Sequence, residues 1–255
     1  MDTDSRSRRE LIWFFALTLS STAALHLSLP LLGLPFSLSS AQPSFYPYLA
    51  GLAVPSVVAL LLCRKGERGV FCGSILRPRG SVVVYAVALF MQPGIVFLAW
   101  LLLLGSGLSV EPTFSPAPGF LLFTAGQVWV VLGEEPGWRG FALPRLVSMV
   151  SPRQATLVLA VVWGVWHVPM FFVADSLQAT ASPWLFAASI FAWSAVHTAL
   201  HQASRPSVVP NLLFHGAANV TLNTGLVPPE LEPYLTVSYV LVGVLVWATL
   251  RRNGP

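Results

Sequence analysis

Glu134 and Glu135, His167, and the pair His215 and Asn219 are the residues of this chain whose types and spacing suit them to chemistry. They come in three clusters: Glu134-Glu135-Pro136-Gly137-Trp138-Arg139, Trp163-Gly164-Val165-Trp166-His167, and His215-Gly216-Ala217-Ala218-Asn219. Each lies inside, or at the edge of, a stretch that otherwise reads as membrane-spanning. Ionisable side chains are costly in hydrocarbon, and where they occur they usually work as a site. A carboxylate can take a proton from water, an imidazole can hold or relay one, and a carboxamide can donate to a developing negative charge. The inventory suits the activation of a water molecule.

The elements that must position these groups are apolar helices. The chain has 255 residues, 55% of them hydrophobic and only 9% charged, with a mean hydropathy of +0.71. A soluble domain carries about 25% charge. A deficit of this size over the whole length predicts an all-α, polytopic membrane protein, one transmembrane domain over 1–255. A hydrocarbon core of about 30 Å needs about 20 apolar helical residues. On that basis eight spans are expected, at 11–29, 48–63, 81–104, 119–146, 154–174, 183–200, 208–227 and 234–250. With the N-terminus inside, all 14 Lys and Arg fall on inner segments, Arg139 among them, and the outer segments hold Glu111, Asp175, Glu230 and Glu232. Cations concentrate on the cytoplasmic side. The expectation is a multi-pass protein of the cell (plasma) membrane with both termini cytoplasmic and the lipid bilayer as its surroundings. The +4 net charge then reflects topology and gives no reason to expect nucleic-acid binding. Arg6, Arg8 and Arg9 before an apolar run mimic a signal peptide, but the run is long for one and is read as an uncleaved helix. Cys63 and Cys72 have no metal-ligand spacing and are read as free thiols.

Within the span 119–146, Pro136 removes a backbone N–H and leaves a carbonyl one turn back unpaired, which predicts a kink beside the two carboxylates. Glu135 and Arg139 stand four apart and can pair on one helix face. Glu134 points about 100° away and is left for chemistry. The competing reading ends the helix at Gly133 and makes Glu134, Glu135 and Arg139 interfacial charges. His167 lies about 20 Å from the inner end of its helix, Glu134 about 18 Å and His215 about 10 Å, so one shared cavity open to the inner face is geometrically allowed. His215 and Asn219 share a helix face, and Trp163 stands one turn before His167, where it can pack on the ring. His197 and His201 form another pair four apart, read as interfacial rather than as ligands, because no carboxylate lies nearby in sequence.

In this order the clusters resemble the CAAX-protease and bacteriocin-processing family of intramembrane proteases. Its pattern is EExxxR, an aromatic four before a His, and HxxxN, met here by Glu134-Glu135 with Arg139, Trp163 with His167, and His215 with Asn219. The resemblance covers roughly 119–224. It implies a bundle of about eight transmembrane helices with a cytosol-facing cavity, and hydrolysis of a peptide bond in a membrane-associated peptide or protein substrate, prenylated or otherwise lipidated or not. It further implies Glu134 as general base on a water, His167 helping to hold that water, and His215 and Asn219 stabilising the oxyanion. Glu135 and Arg139 would be structural or substrate-orienting.

The cofactor question is left open by the sequence. Glu134, His167 and His215 could together bind zinc and leave a fourth position for water, as in a metalloprotease. Asn219 is a poor zinc ligand, and the chain has no HExxH pattern. Two other classes compete with a peptidase. A proton-coupled transporter would also bury Glu and His, but no inverted repeat is present. A non-catalytic scaffold or immunity protein of the same fold would be expected to lose one of these residues.

Overall fold

The computed structural model describes residues 3–34, 45–108, 110–111, 113–114, 119–174, 176 and 178–250. Most of the segment between the first two expected spans lies outside them, as do Asp175 and two of the 14 cations of the charge reading, Arg251 and Arg252. Among the described residues there is no strand. The helices are α1 (Thr3–Leu31), α2 (Phe45–Leu62), α3 (Lys65–Leu76), α4 (Val82–Gly105), α5 (Phe120–Glu135), α6 (Leu143–Val147), α7 (Pro152–His167), α8 (Pro183–Ser204), α9 (Val209–Leu222) and α10 (Glu232–Thr249). A π-helical turn, Pro136–Ala142, joins α5 to α6, and a 3₁₀ turn, Val168–Phe172, extends α7.

Six segments are long and apolar enough to cross a membrane: Ser5–Leu31, Phe45–Leu62, Val82–Gly105, Pro152–Phe172, Pro183–Ser204 and Pro229–Thr249. They match six of the eight expected spans. The other two differ in form. The expected span 119–146 is helical from Phe120 to Val147 but is interrupted by the π turn. The expected span 208–227 is a helix of only 14 residues, roughly 21 Å long, which falls short of the bilayer core. The chain also forms α3, where the sequence reading placed a loop.

The π turn starts at the residue expected to kink the helix. Pro136 cannot donate to the carbonyl one turn back, and the chain passes through a wider i→i+5 turn before resuming α-helix. Helix α5 therefore does not end at Gly133, and the interfacial reading of Glu134, Glu135 and Arg139 is corrected: all three are buried. Close packing holds this segment in place. A Cβ at Gly137 would stand 2.5 Å from the Pro55 carbonyl oxygen, and one at Gly133 would stand 2.7 Å from that of Leu52. The two glycines, four apart, let α2 lie directly against α5 and the π turn, as small residues do between membrane helices.

Elsewhere α1 packs on α2, α4 on α9 and α10, and α8 on α7 and α10. The buried core runs through these contacts and is rich in aromatic rings, Trp138, Trp163 and Trp166 among the largest fully buried side chains. Helix α7 begins with a capping box, in which Ser151 and Gln154 satisfy each other's backbone N–H groups. Arg6, Arg64, Arg145 and Arg205, from four separate segments, line one cavity, so cations expected on one side of the bilayer do gather at one end of the bundle.

Candidate active site

The three clusters meet where α5, the π turn, α7, α8 and α9 come together, around the indole of Trp163. Its Nε1–H donates to Glu134 Oε2 at 3.0 Å. Its ring lies edge-on to His167 at 5.3 Å, to His215 at 5.7 Å and to His197 at 5.9 Å between centroids. The Arg139 guanidinium covers the same ring, 4.1 Å from its centre. Glu134, Arg139, His167 and His215 thus share one neighbour, and all are buried.

The two adjacent carboxylates do different things. Glu135 is fully buried and anchors a network. Its Oε1 accepts from Arg139 Nη1 at 3.2 Å, the expected pair, and from His215 Nδ1 at 2.8 Å. Its Oε2 lies 3.6 Å from His197 Nδ1. Glu134 meets no cation at ion-pair distance among the described residues, and its Oε1 accepts no hydrogen bond from them. The two side chains diverge because neighbours on a helix point about 100° apart.

The histidines are held by one ring edge each. His167 Nδ1–H donates to the Trp163 carbonyl at 2.7 Å, one turn back on its own helix. His215 Nδ1–H donates to Glu135. In both, the tautomer is set by the acceptor, and Nε2 makes no hydrogen bond with any described residue. His215 has a carboxylate behind it, so it can carry a positive charge. Asn219 spends one amide N–H on Gln127 Oε1 at 2.7 Å and keeps the other.

The reading of His197 as interfacial needs correction: it is fully buried between helices. His201 is buried too, but it lines the cavity at the arginine-rich end. His197 Nδ1–H donates to Asn211 Oδ1 at 3.1 Å, and its ring packs on Phe214 and Trp163. Helix α8 runs to Ser204, four residues past the expected end, which sets His197 about one turn deeper. A carboxylate does lie nearby, but it is Glu135, supplied by another helix. Gln127 and Asn211 were also missed. Each is a lone amide on an apolar helix whose partner lies far off in sequence, and no spacing rule exposes such pairs. For His197 the signal existed, since an imidazole within an apolar span is a site candidate by default.

The donors bear on the metal question too. Among the described residues, the His and Glu side chains whose ligand atoms come within 4.8 Å of one another are Glu135, His197 and His215. The expected trio of Glu134, His167 and His215 is not such a group. In the trio that does assemble, His215 Nδ1 is bonded to Glu135 Oε1, where the Arg139 guanidinium would repel a second cation, while Glu135 Oε2 and His197 Nε2 have no partner.

A cavity of about 570 Å³ opens at the arginine-rich end of the bundle. Arg139 lies at its wall, but Glu134, His167 and His215 do not line it, so the expected open cavity stops one side chain short of them.

Residues 116–221 match the family model described as type II CAAX prenyl endopeptidase Rce1-like. The chain is also 26% identical over 212 residues to a protein of Methanococcus maripaludis named CAAX prenyl protease 2, an alignment covering 74% of this chain and 76% of that one.

Proposed function

We propose that the protein hydrolyses peptide bonds by a water molecule activated at Glu134, a reading supported by the match of residues 116–221 to the Rce1-like CAAX prenyl endopeptidase model. The observation that carries this reading is the division of labour between the carboxylates: Glu135 is tied through Oε1 to Arg139 and His215, while Glu134 pairs with no described cation and is held beside the histidines by the Trp163 N–H alone. A water bridging Glu134 Oε1 and His167 Nε2 attacks the substrate carbonyl and gives its proton to Glu134. The carbonyl oxygen becomes an oxyanion that accepts from His215 Nε2–H and from the spare N–H of Asn219. The C–N bond breaks as the proton on Glu134 passes to the departing amine, leaving a carboxylic acid and an amine. Glu135 holds His215 in the donating orientation, and Trp163 holds Glu134.

The substrate we propose is a membrane-associated peptide; the relative's name extends this to prenylated CAAX proteins. No metal is assigned a step, because Glu134, the proposed base, is not among the side chains whose donor atoms assemble. By the preference of cytoplasmic segments for cations we place the arginine-rich end, and with it both termini, in the cytosol.

The test is cleavage of a fluorogenic farnesylated CAAX peptide and its unprenylated twin by the purified protein in detergent. Loss of the base in Glu134→Gln should lower kcat by about 10²–10⁴-fold, and loss of one oxyanion donor in His215→Ala by about 10²–10³-fold. Cleavage should survive a chelator; loss of activity with the chelator, restored by zinc, would reinstate the metal reading. Turnover unchanged in Glu134→Gln would remove the proposed base. If folded wild type cleaves neither peptide while Glu134→Gln alters a proton flux, the transporter reading gains.

A further inference from the structure

The arginine-rich cavity is separate from the catalytic cluster and has a chemistry of its own. Its rim carries Arg6, Arg64, Arg145 and Arg205 against Glu10 and Glu67, an excess of two positive charges. Arg145 is bound by both glutamates, at 2.9 and 3.0 Å. Arg205 is exposed and makes no ion pair with any described residue, and Arg64 reaches Glu10 only at 3.6 Å and Glu67 only at 4.0 Å.

The cavity wall is incomplete without a guest. His201 is 3% exposed and lines the cavity, yet neither of its ring nitrogens has a partner. Arg139 is 1% exposed, and its Nε and Nη2 are likewise unpaired. Buried polar atoms are nearly always bonded, so such a set points to a missing partner. A neutral imidazole needs one donor and one acceptor, which a hydroxyl supplies, and a free guanidinium edge needs acceptors.

The surroundings identify the source. Helix α3, beside the cavity, is 12 residues long, roughly 18 Å, and too short to span a bilayer. It buries Phe71 and Ser74, exposes Val70 and Leu76, and carries Lys65 and Arg68. This is the make-up of a helix lying in the membrane interface. Val70 is also on the cavity wall, so acyl chains can rest against the same helix that borders the charged rim. Basic pockets between membrane helices at the cation-rich end take lipid headgroups. We propose that this cavity binds the headgroup of an anionic phospholipid, its phosphate at Arg205 and Arg64 and its hydroxyls at His201. The proposal does not depend on the peptidase reading, because no residue of the proposed water-activating and oxyanion set lines the cavity.

The test is the unfolding temperature of the protein in neutral detergent, followed by tryptophan fluorescence. The added probes are dihexanoyl phosphatidylglycerol, dihexanoyl phosphatidylcholine, sodium phosphate, and a tripeptide with a free carboxylate. At about a hundred times its Kd the anionic lipid should raise Tm by about 5 °C in wild type. The other three should give less than half of that. Arg205→Gln and Arg64→Gln, both at the exposed rim, should each weaken the lipid effect about tenfold in apparent Kd while leaving the starting Tm within about 2 °C. An equal shift with phosphatidylcholine or phosphate would show that the lipid is not being read. A larger shift with the tripeptide would assign the cavity to a carboxylate end instead. No shift with phosphatidylglycerol, or an undiminished one in both variants, overturns the proposal. If a variant unfolds, the contrast among the four probes on wild type still decides.

Discussion

Glu134 and Glu135 are neighbours in the chain and opposites in energetics. Glu135 is the counter-ion of a buried arginine and the acceptor of His215, so its removal strands a charge that has no water to turn to. Breaking a buried ion pair from one side costs about 3–5 kcal/mol. Glu135→Ala should therefore lower folded yield and Tm as well as activity. Glu134→Gln, whose carboxamide can still accept from Trp163, should keep stability within about 1 kcal/mol of wild type and lose only turnover. Thermal melts beside initial rates distinguish the two, and equal destabilisation by both would deny the assigned split. A third residue tests the network behind them. Asn211→Leu leaves the His197 N–H unpaired, worth about 1–3 kcal/mol of stability, and should reduce kcat far less than loss of Glu134. The sequence exposed most of these groups because intramembrane charge is rare and because Glu135 and Arg139 are four apart. It could not expose the joining of Glu135 to His197, since that contact depends on how α5 and α8 pack, and spacing along one helix carries no information about another.

At the scale of elements, the helix that carries the carboxylates is bent by composition and held by contact. Pro136 was readable as a break, but that the break would be a π turn rather than a helix end was not. That outcome depends on α2, which lies so close that Gly133 and Gly137 face its backbone. Gly137→Ala would place a methyl 2.5 Å from a carbonyl oxygen that cannot move without shifting α2. Overpacking of this kind costs about 1–3 kcal/mol. Gly94→Ala on α4 is the control, because nothing stands within 4 Å of its Cβ position and alanine is the better helix former by about 1 kcal/mol. Opposite signs of the Tm change in the two variants are expected; equal signs would mean the α2 contact is not as tight as described. Helix α3 was illegible for a related reason. Its charged and glycine-rich twelve residues read as loop until the π turn and α9 gave it a surface to lie on.

For the whole molecule, the charge distribution drawn from the sequence finds support in a gathering it did not itself require: arginines from four segments meet at one end of the bundle. Which side of the membrane that end faces can be read from the two cysteines. Cys72 on α3 is exposed and Cys63 is buried, 4% accessible. Burial pushes the Cys63 thiol up to about 11. The thiolate is the reactive form, so at pH 7 only about one Cys63 in 10⁴ is ready to react, rising tenfold with each pH unit up to that value. Labelling at pH 7 is then a report on Cys72 alone, and Cys72→Ser should abolish it. With the arginine-rich end in the cytosol, a membrane-impermeant maleimide should label permeabilised cells and spare intact ones. Labelling of intact cells would put α3 outside, reverse the assignment of both termini, and move the lipid cavity to the opposite leaflet. The contacts around Trp163 would stand in either case, because they are internal to the bundle and independent of its direction in the membrane.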